Sequence, residues 1–389
     1  MFQLFSKQKE LKMESTKSLY TVCVLMASLF FRTANAQFND TGYNRLLQIP
    51  LQYTVLRTAE KIMIDGKDDE KDWSKAPWTQ VFTDIETGKG INSEREAKCK
   101  MLWDDHFLYL FAKLKERDLW ASIHDHDAPV FQDNAFEMFI APGGETYNYF
   151  EFQINAYGTV WDLFMPRPYR NGGMGLTSWD IKGLQKAVYL DGTLNNPADT
   201  DSSWSIELAV PFSAVQMNGR RNPVIGTIWR MNFSRVQWPL DTLNGLYFRR
   251  KDESTGKLFP EHYAVWSPQG IINLHYPERW GYVLFSDTLS KESVLSSQDE
   301  KSKLLLWKYY YLQQEFKRRN GKYAATLEQL DKIYKGERTL PANESKIQMF
   351  ADERQFLIQV FLPLLNEYMD VDDKGEIHFE SSGNLKNNK

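Results

Sequence analysis

The sequence is poor in the residues and motifs that mark disulfide-bonded proteins and several large enzyme classes. Its 389 residues include two cysteines and six histidines. A chain with so little cysteine cannot rest on a disulfide framework, so an apolar core must stabilise it. The sequence also lacks a G-x-S-x-G nucleophile elbow, an H-E-x-x-H zinc motif and a phosphate-binding loop. These absences remove the usual signatures of α/β-hydrolases, zinc peptidases and P-loop nucleotide hydrolases.

No apolar run approaches the roughly 20 residues of a membrane-spanning helix, so we predict no stable membrane span. A shorter run, residues 19–31, follows four lysines and precedes Ala34-Asn35-Ala36. This order predicts a signal peptide over residues 1–36, with translation starting at Met1 or Met13. Cys23 follows Tyr-Thr-Val, a poor lipidation box, which favours a soluble product over a lipid-anchored one. We therefore expect an exported protein that is periplasmic, extracellular or at the cell surface.

The sequence has fewer basic than acidic residues, 47 against 51, which gives a formal net charge of −4. Residues 1–36 carry a net charge of +3, so their removal would leave about −7. An acidic exported protein is a poor candidate for binding nucleic acid or anionic membranes. Cys99 would then be the one remaining cysteine, and its alternation with Met101 indicates a packing role in a strand.

Aromatic residues make up 14% of the chain, and short runs of β-forming residues recur from residue 53 to about 287. Residues 37–52 are polar and irregular, which predicts a flexible lead. So many short strands with few helices predict a mainly β protein, an antiparallel β-sandwich over residues 53–287. The predicted strands cover residues 97–103, 107–114, 135–141, 148–156, 159–165, 186–190, 203–211, 228–238 and 279–285.

The pattern changes near residue 288, and residues 288–389 are predicted to form a small C-terminal α+β extension with a disordered tail. A long amphipathic helix from residue 300 ends at Asn320-Gly321 and precedes a second short helix. Strands are expected within residues 346–362 and 376–380. We expect the helix to pack on the sandwich or on these strands, with docking of a partner protein as the alternative. Residues 370–376 mimic a calcium loop, but Lys374 and Ser381 occupy ligand positions, which favours a hairpin turn.

The run His124-Asp125-His126-Asp127 alternates strictly and raises the question of a metal site. On a strand it would place both histidines on one side, and zinc would still need a third ligand from elsewhere. Because Ala128-Pro129 follows, a polar loop at a strand end is the favoured interpretation. If a metal binds, calcium on Asp127 and Asp133 is as plausible as zinc.

Aromatic and polar residues also occur together in several predicted strands, which is what a sugar site requires. A sugar offers apolar C–H faces to flat rings and hydroxyls to polar side chains. Each aromatic residue taken alone is expected in the core. Glu137, Glu151, Asp162 and Glu207 also lie in predicted strands, where a pair of carboxyl groups would suit a glycosidase. The solvent-facing side of a strand is the default position for such acids.

Seven segments, in order, resemble the family 9 carbohydrate-binding modules and the related exported proteins with a DOMON-type sandwich. Any one segment is a weak signal, but their order over residues 53–287 is specific. The segments are "IDGKDDEKDW", "LWDDHFLYLFA", "VFQDNAFEMFI", "YNYFEFQINAYGTVWDLF", "WSIELAVPF", "GTIWRMNFSRVQW" and "WSPQGIINLHYPERWGYVLF".

The resemblance implies a β-sandwich that binds sugars, with calcium as a structural ion. Phe131 stands where the family's best-known binders have a stacking Trp, and Glu137 corresponds to the family's acid on the next strand. Gln153 occupies the position of a sugar-binding Arg, and the second stacking Trp has no counterpart near His275. The carbohydrate-binding residues implied are Phe131, Glu137, Gln153, Asn155, Trp161, Trp179, His275 and Tyr276.

Three functions therefore compete. The first is a non-catalytic, secreted protein that binds an oligo- or polysaccharide, in polysaccharide utilisation. The second is a glycosidase or hydrolase-associated protein, which needs Glu137 to face Glu151 or Asp162 across a cleft. The third is a haem-binding electron-transfer protein, which needs an axial Met from Met101, Met138 or Met231 opposite a His or a second Met.

Overall fold

The computed structural model describes residues 45–144, 146–216, 222–289, 297–334 and 347–381. The predicted signal peptide, the first part of the predicted lead and the tail beyond residue 381 lie outside these ranges. The described chain forms one large β-sheet structure followed by a smaller α+β unit.

Fourteen strands lie between residues 52 and 286, in agreement with the predicted β class. They are β1 Gln52–Arg57, β2 Thr83–Asp84, β3 Ala97–Trp103, β4 Phe107–Lys115, β5 Ala135–Ala141, β6 Tyr149–Asn155, β7 Val160–Met165, β8 Gln185–Asp191, β9 Ser203–Pro211, β10 Ile228–Gln237, β11 Leu240–Leu243, β12 Leu246–Arg249, β13 His262–Val265 and β14 Gly281–Ser286. Strands β11 and β12 form a separate hairpin.

The other twelve strands form one continuous sheet in the order β7-β6-β5-β10-β14-β1-β3-β4-β9-β8, with β13 and β2 added beside β10. All neighbours are antiparallel except that β1 runs parallel to both β14 and β3. The sheet curls over so that β5, β6 and β10 share one apolar core with β3, β4 and β9. This is the predicted β-sandwich.

Alternation along β5 shows how the sandwich presents its outer face. Phe136, Met138 and Ile140 enter the core between the two halves of the sheet. Glu137 and Phe139 must therefore lie on the opposite, outer face, because successive strand residues alternate. Cys99 is fully buried in the same core, as its alternation with Met101 predicts.

The C-terminal unit consists of helix α1 (Ser297–Asn320), helix α2 (Leu327–Asp331) and an antiparallel four-stranded sheet. Helix α1 ends at Asn320 before Gly321, which has φ +73°, and Thr326 caps α2 through a capping box with Gln329. The sheet strands are β15 Ile347–Ala351, β16 Phe356–Leu362, β17 Glu367–Asp372 and β18 Ile377–Ser381. The predicted turn within residues 370–376 connects β17 and β18.

Helix α1 packs on both of its candidate partners, the strands of its own unit and the sandwich. Ile271 and Tyr276 of the sandwich belong to the same apolar cluster as Leu305, Tyr310 and the strands β16 and β17. At its edge Arg170 donates from Nη2 to Oε2 of Glu278 at 2.8 Å, and the Tyr311 hydroxyl donates to Oε1 of Glu278 at 2.6 Å. Apolar contact and the hydrogen bond from Tyr311 to Glu278 therefore fix the C-terminal unit against the sandwich, while Arg170 holds Glu278 from within the sandwich.

Residues 45–51 of the predicted lead are packed rather than free. Leu46 is buried in the cluster that joins the two units, and Arg45 pairs with Glu86 at 2.9 Å. Gly270, at φ +78°, lies against the backbone of Arg45 and Leu46, where a Cβ atom would have no room. Within the described ranges, no helix is long and apolar enough to cross a membrane.

Candidate functional site

Six residues in register cross the outer face of the sheet, and we name them the transverse row. Cross-strand partners point to the same face of a sheet, so residues paired in succession form one line. The row runs from β2 through β13, β10, β5 and β6 to the edge strand β7. Its members are Thr83, Val265, Ser234, Glu137, Gln153 and Trp161.

Polar atoms along the transverse row are buried and lack hydrogen-bond partners. They include Thr83 Oγ1, Glu137 Oε2, Gln153 Oε1 and Trp161 Nε1. Such groups are rare in folded proteins, and leaving one unsatisfied costs about 1–3 kcal/mol. With Ser234 Oγ, five such atoms lie in one line, which makes this part of the outer face a candidate for a ligand that supplies both donors and acceptors.

Glu137 lies at the centre of the row and is 1% exposed. Burial raises the pKa of its carboxyl group well above the usual range, and the charge of Glu151 raises it further. A protonated carboxyl can donate one hydrogen bond and accept others. The role of Glu137 as a partner for a sugar hydroxyl stays a prediction, for which the side chain offers a buried oxygen without a hydrogen-bond partner.

The rings of Phe131 and Trp161 form an aromatic pair at one end of the row. Their centroids are 5.4 Å apart with a tilt of 36°, and both side chains are half-buried. Phe131 lies on the short 3₁₀ turn Val130–Gln132, and its carbonyl accepts from Nε1 of Trp238 at 2.9 Å. The pair thus offers a partly exposed apolar surface beside the buried polar atoms.

A second polar group lies beside Glu137 on the same face. Gln153 donates to Oε1 of Glu151 at 2.7 Å, and Oε2 of Glu151 lies 3.6 Å from Nε2 of His275. Burial raises the pKa of Glu151 to about 7, while burial and the nearby Arg170 lower the pKa of His275 to about 3. His275 is therefore neutral at pH 7, and its contact with Glu151 is not an ion pair.

Asn155 and Asp133 serve as a structural clasp at the start of this face. Asn155 donates to the Ile123 carbonyl at 2.8 Å and to Oδ2 of Asp133 at 2.9 Å. Asp133 also accepts from the Ser122 hydroxyl and from the backbone N–H groups of Ser122 and Ile123. The side-chain oxygen Oδ1 of Asn155 also accepts hydrogen bonds from the backbone N–H groups of Tyr157 and Thr159. The whole side chain is therefore used within the protein.

Trp179 and Tyr276 lie away from the transverse row. Trp179 packs beside Phe150, an inner-face residue, with ring centroids 4.6 Å apart. Tyr276 is buried in the joint with the C-terminal unit, where the Arg170 guanidinium lies 4.2 Å from its ring centre. The structure therefore brings Phe131, Glu137, Gln153 and Trp161 together, with His275 nearby, and places these two residues elsewhere.

The residues proposed for calcium are not neighbours in one ligand set. Both oxygens of Asp133 are occupied by donors of the clasp, so its carboxylate has little to offer a cation. Asp127 instead belongs to a group with His126, Asp162 and Asp180, in which one ligand atom per residue lies within 4.8 Å of the others. A calcium site on Asp127 and Asp133 remains a prediction that this arrangement does not favour.

Sequence reasoning missed Thr83, Ser234 and Val265 of the row. Single hydroxyl or valine side chains in strands give no signal of a binding surface. The register of β10 with both β5 and β13 is what brings them into line with Glu137. Asp180 was missed for the same reason, because nothing near it in sequence suggests proximity to His126.

Comparison with known proteins shows that part of the chain is similar to a described protein family. Residues 64–226 match the model of the family described as carbohydrate family 9 binding domain-like. Endo-1,4-beta-xylanase C of Paenibacillus barcinonensis is 32% identical over 100 residues, which are 25% of this chain. The match covers 8% of the length of that xylanase.

Solved structures give fold-level likenesses. One is a candidate carbohydrate-binding protein from Bacteroides uniformis, with a TM-score of 0.45 at 17% identity, covering 61% of this chain and all of the other. Another is a family 9 carbohydrate-binding module from Caldicellulosiruptor kristjanssonii in complex with glucose. Its TM-score is 0.39 at 15% identity, over 62% of this chain and 98% of that one. The match of residues 64–226 confirms the resemblance of this segment to carbohydrate family 9 binding domains.

Proposed function

We propose that the protein binds a carbohydrate at the transverse row and the aromatic pair Phe131–Trp161. The observation that carries the proposal is the line of buried polar atoms without partners that ends at this pair. The family match over residues 64–226 supports it, because that family is described as carbohydrate-binding.

The chemistry of the two parts is complementary to a sugar ring. The apolar face of a pyranose packs on an aromatic ring, and its hydroxyls both donate and accept hydrogen bonds. Trp161 Nε1 would donate, Gln153 Oε1 would accept, and the Glu137 carboxyl would do either. Because these atoms are buried, we propose that the half-buried rings of Phe131 and Trp161 part to admit the ligand.

A glycosidase is the less favoured alternative. Asp162 pairs with the inner-face residue Phe152, whereas Glu137 belongs to the outer face. Those two carboxyl groups therefore do not face one cleft. Glu137 shares the outer face with Glu151, and burial raises the pKa of Glu151 to about 7 and that of Glu137 well above its usual range, so the glycosidase alternative rests on this pair alone.

A haem protein is also less favoured. Met101, Met138 and Met231 are fully buried in the main apolar core of the sandwich, packed among aromatic and aliphatic side chains. Among the described residues, that core contains no histidine. A methionine–histidine axial pair therefore lacks its histidine in this core, and a pair of methionines would have to displace the aromatic and aliphatic side chains packed around them.

We further propose that the protein acts outside the cytoplasm in polysaccharide utilisation. The support is the signal-peptide pattern of residues 1–36 and the partial match to a xylanase. Xylan and β-glucan fragments are accordingly the first ligands to test.

The test is calorimetric titration of the processed protein with glucose, cello-oligosaccharides, xylo-oligosaccharides and a wider glycan panel. Reducing-sugar release is followed in the same mixtures. We expect saturable binding to at least one glycan and no release of sugar. Release that depends on Glu137 and Glu151 would replace the proposal with the glycosidase alternative, and failure of every glycan to bind would refute it.

A further inference from the structure

Four side chains from three separate segments converge beside the edge strand β7, on the side away from Trp161. His126 and Asp127 come from the loop before β5, Asp162 from β7, and Asp180 from the segment before β8. One ligand atom from each lies within 4.8 Å of the others. His126 Nε2 is 2.7 Å from Oδ1 of Asp180 and 3.6 Å from Oδ1 of Asp127.

Asp162 shows that this group is more than a cluster of surface acids. Its side chain is 2% exposed, and Oδ2 accepts from the backbone N–H of Ile181 at 2.6 Å. Its Oδ1 is buried and has no hydrogen-bond partner. An unpartnered carboxylate oxygen below the surface, beside two further carboxylates, is costly unless a cation compensates it. Lys186 is a second positive group that acts on Asp162, and its Nζ donates to the Gly158 carbonyl. A protonated His126 and Lys186 together still supply two positive charges for three carboxylates.

We propose that His126, Asp127, Asp162 and Asp180 bind a divalent transition metal ion of the zinc class. Calcium and magnesium prefer oxygen ligands, whereas an imidazole nitrogen with carboxylates suits zinc and its neighbours. Zinc–ligand distances of about 2.0–2.2 Å require the ligand atoms to draw closer than 4.8 Å. His126 and Asp180 have side chains 57% and 59% exposed, so they are free to close on an ion bound at Asp162.

Backbone hydrogen bonds to β7, at Val160 and at Phe164, hold these segments beside the strand. Asp127 has φ +61°, and its N–H donates to the Val160 carbonyl at 3.1 Å. Leu176 bridges to Phe164 and so holds the segment that carries Asp180 against β7. A bound ion would tie both segments to β7, which is the outermost strand of its half of the sheet. This role does not depend on sugar binding.

The test is titration of the chelator-treated, untagged full chain with ZnCl2, followed by calorimetry and by thermal unfolding. We expect one ion per chain and a rise in Tm that follows zinc occupancy. His126→Ala and Asp180→Asn change exposed side chains, so these variants should fold. Each should weaken zinc binding at least about tenfold, since even the loss of an outer-shell partner costs that much.

The matched controls are His124→Gln and Asp125→Asn, which alter the two neighbouring residues outside the group. Both should retain zinc affinity within about twofold of the unchanged protein. The proposal is overturned if zinc does not bind, if it binds equally to the His126 and Asp180 variants, or if the controls lose it too. Binding of calcium in preference to zinc at these residues would overturn the assignment of the metal class.

Discussion

At the scale of residues, the sequence predicted several residues of the candidate site but not which face of the sheet each one occupies. Phe131, Glu137, Gln153 and Trp161 were predicted from residue type and family resemblance. The register of β5, β6 and β7 aligns the last three, and the turn before β5 brings Phe131 against Trp161. Trp179 and Tyr276 were predicted on the same grounds, yet they face other partners. An aromatic residue in a strand reveals its type but not its face, which depends on pairing with distant strands.

The pKa of Glu151 makes stability depend on pH in a predictable direction. Burial raises its pKa from about 4.5 to about 7, so the folded state binds the proton more tightly than the unfolded state. The stability that the folded state gains from binding this proton is present in full below pH 4.5 and is lost as pH rises through 7. We expect Glu151 to lower the free energy of unfolding by about 2 kcal/mol between pH 5 and pH 7.

Urea unfolding at several pH values checks this against Glu151→Gln, which keeps an acceptor for Gln153 but cannot titrate. The variant should lack this part of the decline. Glu253→Gln, an exposed change in a surface turn, should follow the unchanged protein. If the free energy of unfolding fell equally with pH in Glu151→Gln and in the unchanged protein, the burial argument would be contradicted.

Asp133 is predicted to stabilise the protein through the clasp rather than through calcium. Asp133→Asn would turn an amide N–H₂ group towards groups that now donate to the carboxylate. We expect a loss of about 1–3 kcal/mol in the free energy of unfolding, measured by urea denaturation. Asp125→Asn, an exposed neighbour, should change it by less than about 0.5 kcal/mol. An effect of calcium on the unchanged protein that disappears in Asp133→Asn would favour the calcium prediction instead.

At the scale of elements, alternation and turn signals predicted most of the strands from β3 to β10, because each pattern is local. Strand β1 was missed although residues 53–57 lie within the predicted sandwich, because its parallel pairing with β14 and β3 is long-range. Strand β17 was missed because its sequence, "EYMDVD", is rich in acids. It forms because β16 and β18 flank it and helix α1 covers one face of this sheet.

Glu278 connects the sandwich to helix α1, because it pairs with Arg170 inside the sandwich and accepts a hydrogen bond from Tyr311 of α1. The Glu278 side chain is 1% exposed and receives both the guanidinium and the Tyr311 hydroxyl. Glu278→Gln would leave the partly buried Arg170 without its counter-charge, so we expect a destabilisation of about 3 kcal/mol. Hydrogen exchange should show lost protection in α1 before the sandwich, with the exposed change Glu380→Gln as control. Uniform loss across both units would contradict a specific role at the joint.

At the scale of the whole molecule, the chain combines a sandwich that carries the transverse row with a C-terminal unit packed against it. The sandwich class and the hairpin turn in residues 370–376 were accessible from pattern alone. The joint was not, because it depends on Ile271, Tyr276 and Leu46 meeting α1 across long sequence separations. The central claim concerns the outer face of the sandwich, where the largely buried transverse row ends at the half-buried aromatic pair.

The measurement that tests this claim most directly is calorimetric titration of the best-bound glycan against single variants of the site and their matched controls. Phe131→Ala and Glu137→Gln should each weaken binding at least about tenfold, and Thr83→Val should weaken it by less, because it loses one hydroxyl. Phe248→Ala and Thr242→Val, which make comparable changes on the β11–β12 hairpin, should bind as the unchanged protein does. Full affinity in Phe131→Ala and Glu137→Gln would contradict the account and place the sugar site elsewhere.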